Sequence, residues 1–126
     1  MNKEEQVAYL ANIYRLLLSD GAVDRIEEKA LEQISRDIGA GYFERTNAMD
    51  RAREEGFRVQ LAGRWSDRIR NFEDMIFAAF VNGVLEPSEK KLIKEYAAQL
   101  GIDQAQFDVI QKETKRRYAE YKEKAR

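Results

Sequence analysis

Oxygen-bearing side chains cluster at two turns of this sequence, and such side chains are the usual ligands of hard cations. The first turn, in LSDGAVDRIEEKALEQISRDIG, surrounds one glycine with Asp20, Asp24 and Glu27. The second, in VNGVLEPSEKK, repeats the spacing with Asn82, Glu86 and Glu89. Oxygen ligands of this kind suit Ca²⁺ or Mg²⁺. We therefore take these six residues as candidate metal ligands, with weakly bound Ca²⁺ or Mg²⁺ as the cofactor they would hold.

The first turn matches only part of an EF-hand calcium loop. When Gly21 is placed at loop position 6, the three carboxylates fall at ligand positions 5, 9 and 12. Positions 1 and 3 are then Leu16 and Leu18, which carry no ligand oxygen. The second turn has Ala78 and Phe80 at the corresponding positions. Neither turn is an EF-hand, and a cation bound at either one should be weakly held.

The same residues also have local roles that need no metal. Asp-Gly favours a turn, because glycine accepts a positive φ and the aspartate bonds to nearby backbone. Asp24, followed three residues later by Glu27, predicts a capping box at the positive end of a helix. Capping alone is the favoured interpretation. It leaves out Asp20, which lies at the C-terminal end of a helix, where the helix dipole disfavours an anion.

Composition excludes several classes of site. The 126 residues contain no cysteine and no histidine, which removes disulfides, thiolate nucleophiles and Cys or His zinc sites. Glycine-rich phosphate loops and nucleophile-elbow motifs are also absent from the sequence. We therefore expect no catalytic residue and no enzyme activity. The net charge of −1 gives no overall basic field, so no nucleic-acid partner is expected.

The two turns belong to an internal repeat. Gly21 aligns with Gly83 at a shift of 62 residues, and apolar residues then align at helical spacing until Gly39 meets Gly101. Each copy predicts a helix, a tight turn and a second helix. We expect the two copies to bury their apolar faces against each other and to leave both acidic turns in water.

These patterns predict an all-α fold, a single-domain bundle of about 6–7 helices built from two helix–turn–helix repeats. The domain covers residues 1–126. Its parts are repeat 1 over about 5–40, a linking helical segment over 41–65, repeat 2 over about 66–102 and a C-terminal helix over about 103–124.

Individual residues predict where the helices begin and end. Gly39 should stop the second helix, and the third should reach Glu55. Ser66 is the expected N-cap of the fourth helix, whose wide apolar stripe predicts the most buried element. Pro87 suits the first position of the fifth helix, and Asp103 should cap the sixth.

Two stretches, LLLSDGAVDRIEEKALEQISRDIG and FAAFVNGVLEPSEKKLIKEYAAQLGI, resemble the TerB-like family. This is the tellurite-resistance TerB domain, which also occurs at the N-terminus of a DnaJ-like co-chaperone. The resemblance covers about residues 5–112. It implies an all-helical cytoplasmic domain in a stress-related assembly, without catalytic activity. It also implies acidic turns suspected of binding divalent cations, at the six positions above, although Asn82 departs from the family's aspartate.

A metal-free protein-interaction adaptor or co-chaperone-type module is the alternative function. It would use an apolar groove or the arginine-rich middle segment, where the interleaved carboxylates favour ordinary i,i+4 pairs instead. Trp65 is either a packed neighbour of a helix start or an exposed partner contact. The basic tail is expected to end the last helix, with Tyr118 and Tyr121 packed. The expected oligomeric state is a monomer or a homodimer. Without a signal peptide or transmembrane run, the expected location is cytoplasmic.

Overall fold

Six α-helices and no β-strand make up residues 1–124, the part of the chain that the computed structural model describes. Helix α1 continues into a short 3₁₀ turn at Leu18–Asp20. The all-α prediction is confirmed, and none of these helices is long and apolar enough to cross a membrane. The helices are α1 (Lys3–Leu17), α2 (Arg25–Asp37), α3 (Tyr42–Ala52), α4 (Trp65–Phe80), α5 (Pro87–Leu100) and α6 (Gln104–Lys124).

Several helix ends lie where the sequence places them. Pro87 is the first residue of α5, and Gly39 follows the end of α2. Asp103 caps α6, because its Oδ1 accepts the Gln106 N–H at 2.8 Å. The Gln106 side chain returns the bond by accepting the Asp103 N–H at 2.9 Å. These end signals are local, so they could be predicted without knowing the tertiary contacts.

Two predicted helix boundaries are wrong. Helix α4 begins at Trp65, before Ser66, because the Asp67 carboxylate accepts the Arg64 N–H at 2.9 Å and so makes Arg64 the N-cap. Helix α3 ends at Ala52, before the expected end at Glu55, and residues 57–62 have no regular secondary structure, in contrast to the helical link expected over 41–65. Arg15 of α1 donates to the carbonyl oxygen of Ala52 at 2.9 Å, which satisfies an acceptor at the end of α3.

Helix α1, not α4, is the most buried element. Eleven residues of α1 are buried, against eight of α4. Each of the two helices contacts four others, α1 contacting α2, α3, α4 and α5 and α4 contacting α1, α2, α5 and α6. The prediction failed because α1 also packs along α3, which forms its most extensive interface. Large side chains such as Leu10 and Ile13 are fully buried there, and each is worth roughly 1.5–3 kcal/mol of stability.

Two buried hydrogen-bonded pairs join the repeats, and replacing each residue by its counterpart 62 positions away converts one pair into the other. Tyr9 aligns with Asn71, and Asn12 aligns with Asp74. The Tyr9 hydroxyl donates to Asp74, and the exchanged pair, Asn12 and Asn71, is also hydrogen-bonded at 2.8 Å. The two repeats therefore face each other in a pseudo-two-fold arrangement that places equivalent residues at the same interface.

Asn12 holds the irregular segment 57–62 against helix α1. Its Nδ2 donates to the Gln60 carbonyl oxygen at 2.7 Å, and its Oδ1 accepts the Gln60 N–H at 2.8 Å. Asn12 is fully buried and Gln60 is half-buried, so losing these bonds would leave polar groups poorly solvated.

We expect Asn12→Ala to lower the free energy of unfolding by about 2–3 kcal/mol, since it leaves buried backbone and Asn71 groups without partners. Urea unfolding followed by circular dichroism measures the loss. Asn47→Ala, at an exposed position of α3, is the matched control and should change stability by less than about 0.5 kcal/mol. An equal effect of the two substitutions would refute the role given to Asn12.

Candidate functional site

The two acidic turns lie side by side and form one site. Asn82 Nδ2 donates to Asp24 Oδ2 at 3.1 Å, which links the second turn to the first. Ser19 Oγ donates to Ser88 Oγ at 3.4 Å nearby. We call this site the paired acidic turns. Its members are the six predicted metal ligands Asp20, Asp24, Glu27, Asn82, Glu86 and Glu89.

Equivalent backbone conformations shape the two turns. Gly21 and Gly83 have φ of 108° and 88°, values that other residues rarely adopt. The residue before each glycine folds back onto the turn. Asp20 Oδ1 accepts the Ala22 N–H at 3.5 Å, and Asn82 Oδ1 accepts the Val84 N–H at 3.1 Å. Asp20 therefore has a local partner that the sequence analysis did not assign, although its bond is the longer one.

Helix capping explains one oxygen of each buried glutamate. Asp24 Oδ1 accepts the Glu27 N–H at 2.8 Å, and Glu27 Oε1 accepts the Asp24 N–H at 2.9 Å. The predicted capping box is confirmed. In the second turn Glu89 Oε1 accepts the Glu86 N–H at 2.9 Å, while the Glu86 side chain makes no capping bond.

The second oxygens of these two glutamates are buried and have no partner. Glu27 and Glu89 are each only 1% exposed. Within residues 1–124, neither Glu27 Oε2 nor Glu89 Oε2 has a hydrogen-bond donor. The expectation that the turns lie in water is correct for the other four members, which are exposed, and wrong for these two. A buried oxygen without a donor is unfavourable, and a proton, an ordered water or a cation would each satisfy it.

Burial and the neighbouring carboxylates favour the protonated form of the two buried glutamates. Burial raises the pKa of Glu27 to about 7; the Asp24 N–H opposes this shift, and the charges of Asp24, Glu89 and Asp20 add to it. Burial likewise raises the pKa of Glu89 to about 7, opposed by the Glu86 N–H and reinforced by Asp20, Glu86 and Asp24. The negative charge of Asp20 therefore acts on both buried glutamates.

A cation at this site would be held by side chains that still have to converge. Across residues 1–124, no group of three or more carboxylates is already arranged to hold a metal ion. Asp20 and Glu86 are exposed, and Glu86 makes no capping bond, whereas Asp20 accepts the Ala22 N–H and Asp24 accepts a bond from Asn82. The fixed part of such a site would be the two unpartnered glutamate oxygens.

Three aromatic residues outside the turns are exposed. Tyr42 and Phe43 begin α3 and contact each other edge to face at 5.9 Å, an exposed pair that no spacing in the sequence indicates. Trp65 is also exposed, so of its two alternatives, a packed neighbour of the helix start or an exposed side chain, the second is correct. Tyr118 and Tyr121 pack against Phe80 and Phe77, as predicted for the stripe of the last helix.

Comparisons of this chain with protein-family models, curated proteins and solved structures find no match.

Proposed function

We propose that this chain is a non-enzymatic, TerB-like binding module whose paired acidic turns hold one weakly bound Ca²⁺ or Mg²⁺. The observation that carries the proposal is the pair of buried glutamate oxygens without donors, Glu27 Oε2 and Glu89 Oε2, at adjoining turns. Helix capping leaves these two atoms unexplained. A cation between the turns would satisfy both of them and would offset the repulsion among the nearby carboxylates.

The cellular setting that we propose follows from the family resemblance of the two turn-and-helix stretches. It is a cytoplasmic stress-response assembly of the tellurite-resistance type, in which the domain binds protein partners. No catalytic step is assigned, because the sequence offers no histidine or cysteine and the carboxylates serve capping and turn roles.

The proposed cation is weakly held for two reasons. The exposed carboxylates must rotate into place, and each loses side-chain freedom when it does so. Asn82 is neutral, and its amide already occupies one oxygen of Asp24. An affinity in the millimolar range, as in weak calcium modules, is therefore expected.

We expect titration of chelator-treated protein with Ca²⁺ or Mg²⁺ to shift the NMR amide signals of both turns together. Signals around Gly21 and Gly83 should move with one common dissociation constant, because one ion contacts both turns. Glu89→Gln should weaken the affinity at least about tenfold, since it removes a charged ligand. Glu95→Gln, at an exposed position of the same helix, should leave the affinity within about twofold.

Amides around Gly21 and Gly83 that do not move at millimolar cation would refute the metal site. Movement of one turn alone would show that the turns do not share an ion.

The metal-free adaptor or co-chaperone-type module is the second candidate, and the exposed aromatic pair Tyr42–Phe43 favours it. Adjacent exposed aromatic rings are more typical of partner surfaces than of solvated helix starts. A cation-independent partner interaction lost in Tyr42→Ser/Phe43→Ser would support this function over the cation-binding one.

A further inference from the structure

We propose that a second surface, at the start of α4, binds an acidic segment of a partner protein through arginines and an exposed tryptophan. We call it the Arg–Trp surface and define it by Arg58, Leu61, Arg64, Trp65 and Arg68. It includes no member of the paired acidic turns. The proposal goes beyond cation binding and does not depend on it.

The arginines of this surface lack carboxylate partners. Among the arginines of the middle segment, only Arg51 forms an ion pair within residues 1–124, at 2.8 Å from Glu4 of helix α1. Arg58 and Arg64 are exposed and form none. The nearest acidic residue in sequence, Asp67, already accepts the Arg64 backbone N–H at 2.9 Å. The i,i+4 pairs that the interleaved carboxylates predicted are not formed by these arginines.

Arg68 lies one helical turn after Arg64 and adds a third guanidinium group to this surface. Its Nε is buried and has no hydrogen-bond partner in the described part of the chain. A guanidinium group presents Nε and Nη donors in one plane, and this geometry matches the two oxygens of a carboxylate. Because Nε has almost no solvent-exposed area, a partner carboxylate would pair the charge of Arg68 through the Nη donors.

Exposed apolar side chains lie next to these arginines. Leu61 is 55% exposed and Trp65 is 49% exposed, although Ala62 between them is buried. The backbone that carries them is held in place, since Asn12 bonds both the N–H and the carbonyl of Gln60. A surface that is already ordered loses little entropy on binding. Tryptophan and arginine are also the residues most enriched at interface hot spots.

The charge and shape of the surface favour an acidic peptide over nucleic acid. Only three arginines contribute, the neighbouring Glu54 and Glu55 are exposed, and the whole chain carries a net charge of −1. A long polyanion would meet these carboxylates, whereas a short acidic segment can reach the arginines alone. The exposed Leu61 and Trp65 also need an apolar side chain, which a peptide supplies.

The test uses short fluorescein-labelled peptides and the full chain. The main probe alternates aspartate and glutamate around one leucine and one phenylalanine. A second peptide replaces each acidic residue by lysine, and a single-stranded oligonucleotide of equal charge is the third probe. Anisotropy reports binding. Trp65 is the only tryptophan of the chain, so a blue shift of its emission reports burial at this surface.

We expect the acidic peptide to bind and to shift the Trp65 emission, with and without chelator. Arg64→Glu/Arg68→Glu should weaken binding at least about tenfold. Arg58→Glu/Arg64→Glu changes only exposed side chains, so it serves where the first variant folds poorly. Lys122→Glu, on the last turn of α6 beside the Phe77 contact of Tyr121, makes a charge reversal away from this surface and should change binding less than about twofold.

Several results would overturn the proposal. These are no binding of the acidic peptide, equal binding of the lysine peptide, tighter binding of the oligonucleotide, and binding that does not depend on Arg58, Arg64 and Arg68. Self-association of the free chain that these variants abolish would assign the surface to a second copy instead. Loss of cation binding in Glu89→Gln with peptide binding intact would separate this proposal from the cation site.

Discussion

The free energy of unfolding is expected to rise as the pH falls from 8 to 5. Burial and neighbouring carboxylates raise the pKa of Glu27 and of Glu89 to about 7 in the folded chain, above the ordinary value of a glutamate. The folded state therefore binds protons more tightly than the unfolded state does. The stabilisation is complete below the unfolded pKa, near 4.5, and is lost as the pH rises through about 7.

Each glutamate contributes roughly 3 kcal/mol to this change, at about 1.4 kcal/mol for each pKa unit. The pair contributes less than twice that, because protonating one carboxylate removes a repulsion that raises the pKa of the other. Urea unfolding of chelator-treated protein at several pH values measures the effect.

Glu27→Gln/Glu89→Gln is the informative variant for the pH prediction. It should be more stable than the unchanged chain at pH 8 and show a much flatter profile between pH 5 and 8. Some pH dependence should remain, because burial and the charge of Asp74 also raise the pKa of Glu73. Glu4 and Glu44 have pKa values lowered by hydrogen bonds from Arg51 and Lys3, so they titrate below this window. An unchanged denaturation midpoint between pH 5 and 8 in the unsubstituted chain would contradict the prediction.

The effect of added Ca²⁺ on stability provides a second test of the ionisation of Glu27 and Glu89. It should raise the stability at pH 8, where Glu27 and Glu89 are ionised, and have little effect at pH 5, where protons occupy them. A stabilisation by Ca²⁺ that is equal at both pH values would place the ion away from the paired acidic turns.

Asp74→Ala is expected to lower the free energy of unfolding by about 3–4 kcal/mol. Asp74 is buried between three helices, where it accepts hydrogen bonds from the Tyr9 hydroxyl of α1 and from Arg117 Nη1 of α6, the latter at 2.6 Å. Removing its carboxylate leaves the buried Tyr9 hydroxyl without an acceptor and Arg117 without a counter-charge. Thermal or urea unfolding monitored by circular dichroism measures the loss.

Two further variants divide this effect. Asp74→Asn keeps an acceptor for Tyr9 and should lose about half as much, whereas Asp108→Ala, at an exposed position, should be close to neutral. A double-mutant cycle between Asp74 and Arg117 isolates their coupling. The guanidinium carbon of Arg117 also lies 3.9 Å from the centre of the Phe77 ring, so Arg117→Ala removes a second contact. A loss under about 1 kcal/mol for Asp74→Ala would show that the network is not stabilising.

The fold was predictable from the sequence because its signals are local. Helical spacing of apolar residues, the proline at position 87 and the cap at Asp103 each act within a few residues. The failures lie where a distant residue decides the outcome. Arg15 of α1 donates to the end of α3, and Asn12 holds Gln60 in an irregular segment where the sequence predicts a helical link.

The sequence predicts which residues lie at the two turns, but it does not predict their burial or their contacts with each other. The repeat indicated the six residues, but not that Asn82 of one turn bonds Asp24 of the other. The burial of Glu27 has a signal in the sequence, since Glu27 precedes Ala30, Leu31 and Ile34 by three, four and seven residues, on the apolar stripe of α2.

Glu89 has the same relation to Leu92, Ile93 and Tyr96 in α5. An acidic residue in register with an apolar stripe is therefore a sign of a buried carboxylate as well as of a helix cap. The Arg–Trp surface has no such signal, because whether an arginine finds a partner depends on the tertiary structure.

The exchange of polar contacts between the halves has an evolutionary consequence. Two separate copies of an ancestral helix–turn–helix peptide could make the same contacts as a symmetric pair, with identical residues at each equivalent position. Joining them in one polypeptide frees each half to mutate alone. Position 20 is now an aspartate and its counterpart at 82 an amide that donates to Asp24, a heterogeneity that a homodimer encoded by a single short gene could not acquire.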